Sequence, residues 1–118
     1  MRLDHIQLAI PAGAEDRCRA FWSGILGMAE LEKPAALKPR GGCWFALGTV
    51  EIHLGVEAPF APARKAHPAF VVPKLDDMAQ RLDRAGHKVR WDTAIGDRRR
   101  FFTEDPVGNR VEFFEEST

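Results

Sequence analysis

An α+β fold made of two βαβββ modules is what this 118-residue sequence predicts, on three observations. Short segments alternate apolar and polar residues as strands do, and two others space apolar residues as helices do. The same order of elements recurs on either side of the proline-containing stretch "EAPFAPARKA". The composition, 45% hydrophobic, 29% charged and formally neutral, is that of a folded domain and not of a disordered chain.

Residues 3 to 10 alternate, with Ile6, Leu8 and Ile10 on one face and His5 and Gln7 on the other, and Pro11 and Gly13 end the strand. "AEDRCRAFWSGILG" follows as a helix. Glu15 and Asp16 lie in its first turn, Cys18, Phe21, Trp22 and Ile25 form its apolar face, and Gly24 and Gly27 mark its end. Three strands are expected near 28–33, 43–48 and 50–56, with a Pro/Gly-rich stretch at 34–42. Module one spans 1–56, a linker 57–66 and module two 67–118. In the second module "HPAFVV" is a strand. "PKLDDMAQRLDRAG" is a helix that opens with Pro73 and presents Leu75, Met78, Ala79, Leu82 and Ala85 on one side. Strands near 87–91, 99–104 and 109–115 complete it.

Several function classes are disfavoured at once. Nucleic-acid binding wants an excess of Lys and Arg, and the basic run Arg98–Arg100 sits between Asp97 and Glu104. No segment reaches the roughly 20 apolar residues of a membrane helix, and "MRLDHIQLAIPAG" lacks the apolar region of a signal peptide. Cys18 and Cys43 have no paired-motif spacing and read as reduced core thiols of a cytoplasmic protein. No glycine-rich phosphate loop follows a strand, so a nucleotide cofactor has no support.

Period-two alternation places His5, His53, His67 and Glu112 on the faces of their strands turned away from the helices. Three imidazoles and a carboxylate suit a divalent ion such as zinc, nickel, cobalt, iron or manganese. The plainer alternative is that His5 and His67 are half-buried strand histidines and that Glu112 pairs with Arg110 or Arg100. Glu51 shares the parity of His53 and is expected to meet solvent or an arginine. His87 reads as a surface residue, and Arg98–Arg100 as a solvated edge strand whose alternation sets Arg99 opposite the other two. Asp105-Pro106 and Gly108-Asn109 form the tight turn that holds the register of the last strand.

The segments "LDHIQLAIP", "FWSGILGM", "WFALGTVEIHLGVE", "HPAFVV" and above all "RRRFFTEDPVGNRVEFFE" resemble the vicinal-oxygen-chelate superfamily. That group includes glyoxalase I, the fosfomycin and bleomycin resistance proteins and the extradiol dioxygenases. The resemblance implies paired modules forming a curved mixed sheet around a cleft, helices outside, in a homodimer whose clefts are shared between subunits. It assigns metal binding to His5, His53, His67 and Glu112. Glyoxalase I usually has a carboxylate where this chain has His53, which leaves Glu112 as the metal-binding carboxylate that can act as a base. The implied activity is a metal-dependent lyase or isomerase reaction on a small oxygenated substrate, with Glu112 catalytic. Gln7, Trp44, Trp91, Phe102 and Arg100 are the expected substrate contacts. The alternatives are an extradiol-type dioxygenase, using His5, His67 and Glu112, and a non-catalytic binding or drug-sequestering protein. In the latter, Trp44, Phe60, Trp91, Phe101 and Phe102 would line an aromatic cleft.

Overall fold

The computed structural model describes residues 1–116; the last two residues assigned to module two, 117 and 118, lie outside the described residues. The chain divides into two compact units, Met1–Ala63 and Arg64–Thr118, with the division inside the proline-containing stretch. Each unit is a four-stranded mixed sheet with a helix between its first and second strands. No helix among the described residues is long and apolar enough to cross a membrane.

In the first unit the strands are β1 (Ile6–Ile10), β2 (Ala29–Leu31), β3 (Cys43–Leu47) and β4 (Val50–Val56), ordered β1-β4-β3-β2. β1 runs parallel to β4, and the other pairs are antiparallel. Helix α1 (Glu15–Arg19) continues as a wider π-type turn over Ala20–Ile25. This turn shifts the apolar face by one residue. The amide of Leu26 reaches back five residues to the Phe21 carbonyl (3.0 Å), so Leu26 is buried and Ile25 only half-buried. The stretch at 34–42 contains a short 3₁₀ helix, Ala35–Arg40. Glu15 reaches from α1 to the amide of Gly42 (2.9 Å), and this hydrogen bond holds its carboxyl below the ordinary range. Gly42 has φ 84°, and a Cβ there would run into the carbonyl oxygen of Leu54. Leu8, Ile10, Cys18, Phe21, Trp22, Phe45, Ile52 and Leu54 form the core of the unit.

The second unit repeats the plan with β5 (Ala69–Val72), α2 (Leu75–Arg84), β6 (Arg90–Asp92), β7 (Arg100–Glu104) and β8 (Arg110–Glu115), ordered β5-β8-β7-β6. Again the first and last strands are parallel and the rest antiparallel. Leu75, Met78, Ala79 and Leu82 of α2 are buried, and Ala85, just past the last helical residue, is exposed. β7 is flanked by β8 and β6, so Arg100 belongs to an inner strand and not to the solvated edge anticipated from the sequence. Alternation does split the arginine run. Arg99 bonds Asp76 of α2 (2.8 Å), while Arg98 lies over the Phe114 ring, on the face that carries Glu112.

Candidate functional site

Parallel pairing sets Gln7 beside His53, and antiparallel pairing sets Trp44 across from it, so all three share the face of the first sheet opposite Ile52 and Leu54. The His53 ring is stacked between Trp44 (3.8 Å, 7°) and His5 (3.9 Å, 13°), and the residue is 4% exposed. Its Nε2–H donates to Glu51 Oε1 at 2.8 Å. Glu51, expected to meet solvent or an arginine, instead caps the histidine two residues along its own strand. His5 is held through its other nitrogen: Nδ1–H donates to Asp4 Oδ2 at 2.9 Å, which draws the Asp4 carboxyl below its ordinary value. Gly55 makes room for the Gln7 amide, since a Cβ at 55 would sit 2.5 Å from Gln7 Nε2.

In the second unit His67 stands just before β5. Its Nδ1–H donates to the Lys65 carbonyl at 2.7 Å, and Nε2 lies 2.8 Å from Glu112 Oε1. Glu112 is 4% exposed on β8, and its second oxygen accepts from Arg100 Nη1 at 2.8 Å. That bond raises the pKa of Arg100, a group already cationic at any ordinary pH. Arg100 Nη2 makes a longer bond to Asp92 Oδ2 (3.3 Å). Phe102 pairs with Glu112 across β7 and β8 and sets its ring edge-on to His67 at 5.5 Å. The Arg100 guanidinium lies 5.1 Å from the Phe102 ring centre and 5.7 Å from that of Phe114.

Two aromatic residues fall on the wrong side for this site. Trp91 pairs with Phe101, and Phe101 with Phe113, so both belong to the face that packs toward α2, with the sheet between them and Glu112. Parity was readable for Phe101. For Trp91 it depended on the β6–β7 register, which no residue of the turn announces. Phe60 is half-buried in the loop after β4. His87, expected at the surface, is half-buried with Nδ1 3.0 Å from the Glu104 carbonyl. Asp92 was missed: only the pairing of β6 with β7 brings it opposite Arg100.

Three imidazoles and a carboxylate are ordinary ligand types for a divalent ion. A carbonyl can only accept, so Lys65 fixes the proton of His67 on Nδ1 and leaves Nε2 to face Glu112. The 2.8 Å edge between Nε2 and Oε1 then needs a proton or another cation between its atoms. It also suits two adjacent ligands of a metal bound at about 2.0–2.2 Å. His5 is held in the same sense, through Nδ1. His53 is not: its Nε2 is taken by Glu51. Two stacked rings also send their in-plane lone pairs along parallel planes, so His5 and His53 as stacked do not aim at one ion. Among the described residues no group of three or more His, Cys, Asp or Glu side chains is arranged to hold a metal. The residue types therefore fit, and the second unit supplies the pre-set pair.

Two βαβββ units, each carrying imidazole or carboxylate groups on the sheet face away from its helix, define a glyoxalase-like class of fold. The chain belongs to the Glyoxalase/Bleomycin resistance protein/Dioxygenase superfamily, whose family model matches residues 2–113. It is 50% identical to a Bacillus anthracis protein assigned to the glyoxalase family, covering 99% of this chain and 96% of that one with a TM-score of 0.93. The fold is shared with the fosfomycin resistance protein FosX of Listeria monocytogenes (16% identity, 99% and 94% covered, TM-score 0.79). It is shared also with TnmS3, an antibiotic binding protein of Streptomyces sp. CB03234 (19% identity, 99% and 99% covered, TM-score 0.74). No curated protein matches the chain.

Proposed function

We propose that this protein is a metal-dependent enzyme of the lyase or isomerase type, acting on a small oxygenated substrate. The observation that carries the reading is the His67–Glu112 pair, with His67 Nδ1 tied to a backbone carbonyl and Nε2 held 2.8 Å from a buried carboxylate. His67 and Glu112 would be the principal ligands for a zinc, nickel, cobalt, iron or manganese ion, and His5 and His53 of the first unit are candidate donors by residue type. When bound, such an ion supplies Lewis-acid stabilisation of negative charge developing on a substrate oxygen. Glu112 is the carboxylate placed to take a proton from the carbon beside that oxygen, and its burial, with Phe102 next to it on the same face, keeps competing water away. Phe102 offers an apolar wall on the same sheet face; in the first unit Gln7 and Trp44 share the face of His53 and offer an amide and a ring to a ligand there. The working form we infer is a cytoplasmic homodimer.

Metal content of protein purified without an affinity tag tests this. About one ion per chain is expected, lost in His67→Ala and Glu112→Ala and weakened in His5→Ala. No ion in the wild type after zinc, nickel, iron and manganese are supplied overturns the reading. A metal-free ligand-binding role is the second reading. It is favoured by one feature: both oxygens of Glu112 already have partners, in His67 and Arg100.

A further inference from the structure

The Arg100 guanidinium is incompletely served where it lies. Nη1 bonds Glu112 at 2.8 Å, Nη2 only reaches Asp92 at 3.3 Å, and Nε is buried with no acceptor among the described residues. A buried donor left without an acceptor is uncommon and calls for an explanation. The Phe102 and Phe114 rings flank the group and Arg98 lies beyond on Phe114, so these neighbours add π faces and positive charge. Glu112, for its part, is shared between His67 and Arg100.

From this we propose that Arg100 is an anion anchor restrained by Glu112, and that the ligand it takes carries a carboxylate or similar oxyanion. A cation that takes Glu112 faces a positive guanidinium on the same buried carboxylate. Like charges at that range repel strongly where water is scarce. Occupation of Glu112 therefore releases Arg100, whose planar fork of donors matches a carboxylate in two-point fashion. The anion in turn neutralises the arginine and leaves Glu112 free for the cation. Cation and anion thus bind with positive coupling, and the coupling is reciprocal. The substrate class rests on the metal reading above, narrowed to anionic oxygenated compounds. The anchor itself does not need the metal.

The experiment follows acetate binding by the ¹⁵N resonance of the Arg100 Nε–H group, in wild type, Glu112→Gln and the double variant Arg100→Gln/Glu112→Gln. The double variant lacks the reporter, so its binding is read from backbone amides around Phe102 and Asp92. Removing the competing charge is expected to tighten acetate binding about 10-fold in Glu112→Gln, which corresponds to roughly 1.4 kcal/mol, and the double variant is expected to lose it. Unchanged affinity in Glu112→Gln, or equal binding by the double variant, overturns the anchor. In a second arm the wild type is titrated with acetate before and after zinc loading, and zinc is expected to tighten acetate by a similar factor. Zinc that binds without this effect overturns the release of Arg100. Wild type that takes up no zinc, with tighter acetate in Glu112→Gln, removes the metal reading and leaves the anion anchor standing.

Discussion

His5, His53 and His67 are distinguished by which nitrogen is tied down. His5 and His67 are each held through Nδ1, by Asp4 and by the Lys65 carbonyl, whereas His53 is held through Nε2 by Glu51. Period-two parity was enough to place His53 and Glu112 on the faces away from the helices, because a strand sends alternate side chains to opposite sides whatever its neighbours are; His5 and His67 stand just before β1 and β5, and contacts with His53 and Glu112 hold them on those sides. Which nitrogen is free depends on atoms that parity does not see. The same limit applies at Thr103, whose hydroxyl is buried with no hydrogen-bond partner among the described residues, on the side of β7 that faces Val111. An unsatisfied buried hydroxyl costs more than a methyl of the same shape. Thr103→Val is therefore expected to stabilise the protein by about 1 kcal/mol, read as a higher urea midpoint with an unchanged slope. A lower midpoint would mean that the hydroxyl has a partner in solution.

Among the elements, the turn between β7 and β8 has the clearest bearing on the site. Asp105 Oδ1 accepts from the amides of Val107 (3.1 Å) and Asn109 (2.8 Å), and the Asp105 amide donates to the Asn109 carbonyl at 2.8 Å. Burial pushes the Asp105 carboxyl up while these donors pull it down, and burial is the larger influence. Gly108 completes the turn at φ 94°, a conformation that side-chain-bearing residues resist. The turn was legible as "EDPVGN" because proline, aspartate and glycine each have a local reason to be there. It also sets register, and a slip of one residue would send Glu112 into the core and Val111 out. Gly108→Val is expected to lose about 1–3 kcal/mol of stability and to reduce metal uptake without touching a ligand. Full uptake in a folded Gly108→Val protein would break the link between turn and site. The π-type turn after α1 shows the opposite case. Cys18, Phe21, Trp22 and Ile25 have good α-helical spacing, yet the extra residue in the turn buries Leu26 in place of Ile25, and nothing in the spacing foretold it.

On the scale of the whole molecule, each unit builds the same strand order around its own core, with the parallel pair joining first and fourth strands. A single unit has too little chain to bury a large core, and in each the helix covers one sheet face only. The chain carries zero formal net charge, so no long-range repulsion opposes self-association. The homodimer inferred above is expected to show a light-scattering mass twice the 13.2 kDa of one chain, independent of dilution through the micromolar range. A mass of one chain across that range would refute it.

Taken by itself, the sequence determined what depends on neighbours along the chain: strand parity, the apolar face of α2, the glycine turns, and hence the repeated βαβββ order. These follow from steric and periodic rules that act over a few residues. Tertiary structure alone decided what depends on strand register and side-chain reach. It set Trp91 on the α2 side of its sheet, Asp92 opposite Arg100 and Glu51 on His53, and it chose Arg100 over Arg110 as the partner of Glu112. Each joins residues through hydrogen-bonded pairing or a charge contact whose partner is chosen in space. Glu112 shows both halves of this division: alternation put it on its face, and the fold gave it His67 and Arg100.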